Sequence, residues 1–182
     1  MAKYRKLVRD FWVDPRVRTM NIEQKMFFAY AITGNEACIN TNISGIYEVY
    51  RGSFEQILGI DGKDLNNIID FFNNKLSDLL EYDVQSHMMY VKSFFKYNSH
   101  YKSNVSAIMD DFDLTFHKAP KFWAEFGEIN RPKLSKIYPI LEDEEQRKFL
   151  DRLFELENEF PNSQIEPKSK FKLKESSKEN IK

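Results

Sequence analysis

Ser53-Phe54-Glu55-Gln56-Ile57-Leu58-Gly59-Ile60-Asp61-Gly62-Lys63-Asp64-Leu65-Asn66-Asn67-Ile68-Ile69-Asp70-Phe71-Phe72-Asn73-Asn74-Lys75-Leu76 carries two helical patterns on either side of a glycine-containing turn. Ser53 with Gln56 three residues on reads as a capping box opening a short helix. Phe54, Ile57 and Leu58 face inward there, and Gly59 closes the helix. The next pattern, roughly residues 62 to 79, has the clearest periodicity in the chain, with Leu65, Ile68, Ile69, Phe72, Leu76 and Leu79 on one side. Its other side carries Lys63, Asn66, Asn67, Asp70, Asn73, Asn74 and Lys75. A short helix, a tight turn and a longer amphipathic helix make a helix-turn-helix, with the longer one in the recognition position.

The flanking segments extend this unit in a definite order. Upstream, Asn21 with Gln24 forms a capping box, Thr19 being a competing cap, and Ile22, Met26, Phe27, Tyr30 and Ala31 recur at helical spacing until Gly34-Asn35. Ile46, Tyr47 and Val49 then form a β-prone run between Gly45 and Gly52. Downstream, Tyr82 and Val84 lead into Gln85-Ser86-His87, and Met89 and Val91 lead out, as two strands joined by a polar tip. Helix, strand, helix, helix, strand, strand is the order of a winged helix-turn-helix. The expected fold is therefore mainly α with a small β-wing (α+β), followed by C-terminal helices.

Beyond the wing, Val105, Ile108, Met109, Phe112 and Phe116 predict a helix. Pro120 opens a short one containing Phe122, Trp123 and Phe126, and Pro132 and Pro139 break the pattern. From Glu142 to Phe160, Phe149, Leu150, Leu153, Phe154, Leu156 and Phe160 sit at helical spacing among dense charge. The chain thus divides into a basic arm (1–20), a winged-helix domain (21–117), a helical extension (118–160) and a polar tail (161–182) expected to be disordered.

Composition narrows the function class. The chain has 182 residues, with 42% hydrophobic and 15% aromatic residues including 16 Phe, enough for a substantial core. One cysteine, Cys38, excludes an internal disulfide. With no signal-like or membrane-length apolar run, the expectation is a cytoplasmic protein, with no membrane partner. The net charge of −1 conceals an uneven distribution. Residues 1–25 hold seven cations against three acids, residues 26–90 three against nine, and residues 91–140 eight against five. A polyanion would meet the arm and the segment after the wing, and be repelled by the middle.

His87, His100 and His117 are too scattered for a zinc site, and Glu142-Asp143-Glu144-Glu145 reads as a helix start complementing the helix dipole. With no phosphate loop and no nucleophile elbow, no enzyme, no metal and no cofactor is expected. DNA is the expected partner. Asn66, Asn67, Asn73 and Asn74 are candidate base-edge readers, because asparagine pairs with adenine through two hydrogen bonds. Arg5, Lys6, Arg9, Arg16 and Arg18 in the arm, Lys63 and Lys75 on the helix, and Lys92 and Lys96 at the wing exit are candidate phosphate contacts. Against this stands the acidic middle, which equally suits a protein-interaction module binding a host factor. Phe149, Leu153, Phe154 and Phe160 form a candidate homodimer seam, or the face by which the last helix docks on its own chain.

Four spaced segments then carry a family resemblance: Phe11-Trp12-Val13-Asp14-Pro15, Gln24-Lys25-Met26-Phe27-Phe28-Ala29-Tyr30, Ser44-Gly45-Ile46-Tyr47-Glu48 and Tyr90-Val91-Lys92-Ser93-Phe94-Phe95-Lys96-Tyr97-Asn98. Over about residues 4 to 116, with Asn104-Val105-Ser106-Ala107-Ile108 as a post-wing helix, the chain resembles the N-terminal winged-helix region of phage and prophage replication-initiation proteins. These are the DnaD-like replisome organisers of low-GC Gram-positive bacteria. The resemblance implies DNA binding, self-association and replisome assembly with replication or other host proteins, in the cytoplasm of a bacterial host cell. The Tyr-Ile-Trp spacing that commonly ends the family's separate C-terminal domain does not occur here.

Overall fold

A computed structural model describes residues 9–34, 37, 43–92, 94–95 and 104–161. Two short helices, α1 (Arg9–Val13) and α2 (Pro15–Thr19), lead into α3 (Ile22–Thr33). Pro15 sits at the start of α2, where a missing N–H costs nothing, and the Asp14 carboxylate caps it by accepting from the Arg16 N–H at 2.8 Å. The capping box expected at Asn21 is present. Asn21 Oδ1 accepts from the Gln24 N–H at 2.8 Å, and Gln24 Oε1 accepts from the Asn21 N–H at 2.9 Å.

Strand β1 (Ile46–Glu48) follows, then α4 (Arg51–Leu58), α5 (Gly62–Lys75), β2 (Leu80–Asp83) and β3 (Met88–Val91). Helix α4 departs from the expected start. It begins at Arg51, with Tyr50 in the cap position and no side-chain cap, so Ser53 falls inside the first turn and its N–H donates to the Tyr50 carbonyl at 2.9 Å. Gly59 at φ 64° closes α4 as expected. Ile57, expected inside, is 53% exposed. Asp61 caps α5, accepting from the N–H groups of Lys63 and Asp64 at 2.9 and 3.0 Å. That helix ends at Lys75, leaving Leu76 and Leu79 to line the turn into β2.

The C-terminal part forms α6 (Asn104–Thr115), α7 (Pro120–Ile137), a 3-10 turn (Tyr138–Ile140) and α8 (Glu144–Glu159). Pro132 does not break α7, which runs through it to Ile137; the proline lies on the solvent side. Among the described residues no helix is long and apolar enough to cross a membrane. Residues 162–182, expected to be a tail, lie outside the description, as does Cys38.

The sheet is antiparallel in the order β1-β3-β2, with Ile46 opposite Tyr90 and Glu81 opposite Tyr90. Successive side chains point to opposite faces, and here both faces are covered. Tyr47, Leu80, Tyr82, Met89 and Val91 join a core with α1 to α5, while Ile46, Met88 and Tyr90 join a second core with α6 to α8. Central β3 is buried at every position for this reason. The protein is therefore mainly helical with a small antiparallel sheet between two helical layers.

The first core is built on rings. Phe27 lies 4.6 Å from Phe54 and 5.6 Å from Phe72, and Phe11 of α1 reaches Phe28 at 5.3 Å. With Val17 and Met20 also buried, α1 and α2 are fastened to the body; residues 1–8 of the expected arm lie outside the described residues. In the second core, Trp123 is fully buried and its Nε1–H donates to Thr115 Oγ1 at 3.0 Å. Gly127 lets α7 and α8 approach closely, since a Cβ there would sit 2.9 Å from the Leu153 carbonyl oxygen. The face of α8 offered as a dimer seam is filled from within the chain. Leu153 is fully buried, and Phe149, Phe154 and Phe160 pack half-buried on the same core.

Candidate nucleic-acid interface

Helix α5 buries Leu65, Ile68, Ile69 and Phe72 and turns Lys63, Asp64, Asn66, Asn67, Asp70, Asn74 and Lys75 outward. Its attitude to α4 is fixed by Arg51. That guanidinium donates from Nε to Glu55 Oε1 at 3.0 Å, from Nη1 to Asn66 Oδ1 at 2.7 Å, and from Nη2 to the Gly62 carbonyl. The glycine turn alone would leave the two helices free to splay; the arginine spans it.

The four asparagines have different environments. Asn73 is structural: its Nδ2 donates to the Tyr82 carbonyl and its Oδ1 accepts from the Tyr82 N–H, both at 2.9 Å. With both halves of the amide engaged, Asn73 does not read bases. Asn74 donates to the Asp70 carbonyl at 2.9 Å, and Asn66 lends its oxygen to Arg51. Asn67 is exposed and has no hydrogen-bond partner among the described residues.

The cations sort in the same way. Lys92 is turned inward, its side chain only 6% exposed, and pairs with Glu81 at 2.6 Å and with Glu125 of α7. It cannot reach a phosphate without abandoning two carboxylates. Arg16 is held by Asp14 at 2.7 Å and by Asp78 at 2.6 Å, tying α2 to the turn after α5. The bond to Asp14 raises the Arg16 pKa, and the same bond lowers that of Asp14. Arg18 and Lys63 are exposed with no ion-pair partner among the described residues, and Lys75 lies 5.9 Å from the Phe71 ring centre. Arg5, Lys6 and Lys96 fall outside the described residues, as does the side chain of Arg9.

The segment expected to form the wing is a turn over residues 84–87 between β2 and β3. The Asp83 carboxylate shapes it, accepting from the Gln85 N–H at 2.9 Å and from Ser86 Oγ at 2.6 Å. His87 adopts φ 57°, and its ring lies 5.1 Å from that of Tyr50. The Val49 N–H donates to the His87 carbonyl at 2.9 Å, so the root of the wing and the entry to α4 are joined. No local pattern in the sequence marks Tyr50, whose neighbour in space is 37 positions away.

The structure thus leaves Asn66, Asn67, Asn74, Lys63 and Lys75 together on the outward side of α5, and separates from them Asn73 and Lys92, which the sequence groups with them. Residues 51–75 carry three cations, Arg51, Lys63 and Lys75, against four acids, Glu55, Asp61, Asp64 and Asp70. The arrangement offers hydrogen-bonding amides and a few lysines without a strong positive field. In comparisons with known proteins, the chain matches no protein-family model, no curated protein and no solved structure.

Proposed function

We propose that this chain is a DNA-binding protein of the winged-helix type, acting in phage-type replication initiation or replisome assembly. The observation that carries the DNA-binding part is the presentation of α5. It is packed by its apolar side within an α3-β1-α4-α5-β2-β3 order with sheet order β1-β3-β2, and its outward side offers Lys63, Asn67 and Lys75. The winged helix uses that order to lay one helix in the major groove and the wing against the backbone. The replication role rests on the resemblance carried by Phe11 to Pro15, Ser44 to Glu48 and the segment from Tyr90.

Few cations on this surface imply a shallow salt dependence. If Arg18, Lys63 and Lys75 each neutralise a phosphate, log K falls with log salt at a slope of about −3. Fluorescence anisotropy of labelled duplex at several salt concentrations measures this. Binding with such a slope supports the reading, and absence of binding at low salt sinks it.

The acid excess over residues 51–75 favours a second reading, in which the same surface docks a host protein. Its mark would be a stable complex with a basic partner, weakened by Asp64→Lys and Asp70→Lys, from a chain that shifts no DNA.

A further inference from the structure

Two residues at the root of the wing stand at unusual backbone positions, and the His87 ring is placed by its Nδ1, 3.5 Å from the Tyr82 hydroxyl. Tyr50 occupies the cap of α4, where Ser, Thr, Asp or Asn would supply a hydrogen bond and tyrosine supplies none. It is also 58% exposed. His87 occupies a left-handed position, the one non-glycine residue with positive φ among those described, where glycine or asparagine is relaxed. These two residues meet, rings 5.1 Å apart and inclined at 47°.

Their frame is held in place. The Glu48 carboxylate, two residues before Tyr50, is paired with Lys118 of the layer behind at 2.6 Å. Val49 is bonded to the His87 carbonyl, and the Tyr82 hydroxyl donates to the Val49 carbonyl at 3.0 Å. A ring pair so braced, with Tyr50 exposed and His87 half-buried, loses little freedom when something stacks on it.

We propose that the Tyr50–His87 pair is a stacking site for an unpaired nucleobase, so that the protein takes single-stranded DNA, or the single-stranded arm of a fork, in addition to duplex. This rests on the DNA-binding reading above and assigns a different ligand to the root of the wing. Bases inside a duplex already have both faces covered by their neighbours. Only an unpaired or terminal base presents a free π-face to an aromatic ring, and such stacking is tolerant of sequence.

The test is anisotropy with a labelled dT12 strand, a blunt duplex and a fork, using the full chain and its Y50A, Y50F and H87G variants. Glycine suits the left-handed position, so H87G removes the ring while relaxing the turn, and a thermal melt of each variant reports folding. Expected is binding of dT12 by the wild type, a loss of about tenfold or more with Y50A and H87G, retention with Y50F, and duplex affinity within about twofold for Y50A and Y50F. Duplex binding without dT12 binding by the wild type overturns the stacking site and leaves the DNA reading standing. Unchanged dT12 affinity in folded Y50A also overturns it. No binding of any DNA overturns both.

Discussion

On one face of the sheet Tyr47, Leu80, Tyr82, Met89 and Val91 meet stacked phenylalanines, and the buried hydroxyls of Tyr47 and Tyr82 end on main-chain carbonyls of Ala31 and Val49. On the other, Ile46, Met88 and Tyr90 meet α6 to α8 across a boundary that carries buried charge. Lys92 and Glu125 are paired there with Glu81 beside them. The buried Asp111 carboxylate of α6 accepts from the N–H groups of Ile43 and Ser44 at 3.0 and 2.8 Å. The Tyr90 hydroxyl is buried with no partner among the described residues. Apolar packing is non-directional and tolerates small shifts, whereas a buried polar group must find its partner in one geometry or pay the desolvation cost. The first face accounts for adhesion, and the second for the fixed position of the C-terminal layer.

The largest effects should separate the two faces. Phe54→Ala empties a ring site in the first core and should cost about 3–5 kcal/mol in urea unfolding. Lys92→Met leaves the Glu81 and Glu125 carboxylates without their cation and should cost a similar 3–5 kcal/mol. The difference lies in rescue. Adding Glu125→Gln to Lys92→Met should recover part of the loss, while no single polar change repairs Phe54→Ala. An absence of rescue would mean that the charge cluster does not govern the second face.

Asp111→Ala is the next step down. It strands two main-chain donors in the interior, at about 1–3 kcal/mol for each unsatisfied group, and should lower the melting temperature without altering the environment of the first core. An unchanged melting temperature would show that the loop before β1 finds other partners.

Glu125→Gln alone should act through pH. Burial, first among the influences on it, raises the Glu125 pKa against the opposing pull of Lys92. A carboxyl whose folded-state pKa lies above its unfolded value contributes stability that is full below the unfolded pKa and is lost as pH rises through the folded one. The wild type should therefore gain from this group as pH falls from neutral toward the ordinary carboxylate range. The Gln variant should lack that component of the slope and be at least as stable at pH 7. A wild-type slope identical to the variant's would refute the assignment.

The smallest effect on stability, and the most informative on function, belongs to Asn67→Ala. Its exposed side chain should change stability by less than about 0.5 kcal/mol. If it reads a base edge, duplex affinity should fall by about 1–3 kcal/mol at its cognate site. Equal affinity for every duplex tested would remove Asn67 from the contact set.

Local signals in the sequence were accurate where one element decides the outcome. The Asn21–Gln24 box, the Gly59 stop and the apolar stripe of α5 all depend on residues within a few positions of each other. Ser53–Gln56 matched the same cap pattern and misled, because the preceding Tyr50-Arg51 already begins the helix and Arg51 is anchored 15 residues away on Asn66. Asn73 and Lys92 looked like surface contacts for the same reason. Their partners are 9, 11 and 33 positions distant, and periodicity carries no information about such pairings. One available signal pointed to the second layer. Met88-Met89-Tyr90-Val91 is apolar without alternation, as a strand covered on both faces should be.

Asn73 also bears on what the edge of the sheet offers to another chain. The outer margin of β2 would otherwise present the Tyr82 N–H and carbonyl as a template onto which a foreign strand could add, the route by which sheets grow into aggregates. The side-chain amide of Asn73 takes both groups, imitating one residue of a missing strand while remaining part of a helix. A residue that sequence periodicity assigns to recognition thus serves to make one margin of the sheet unrecognisable to other chains.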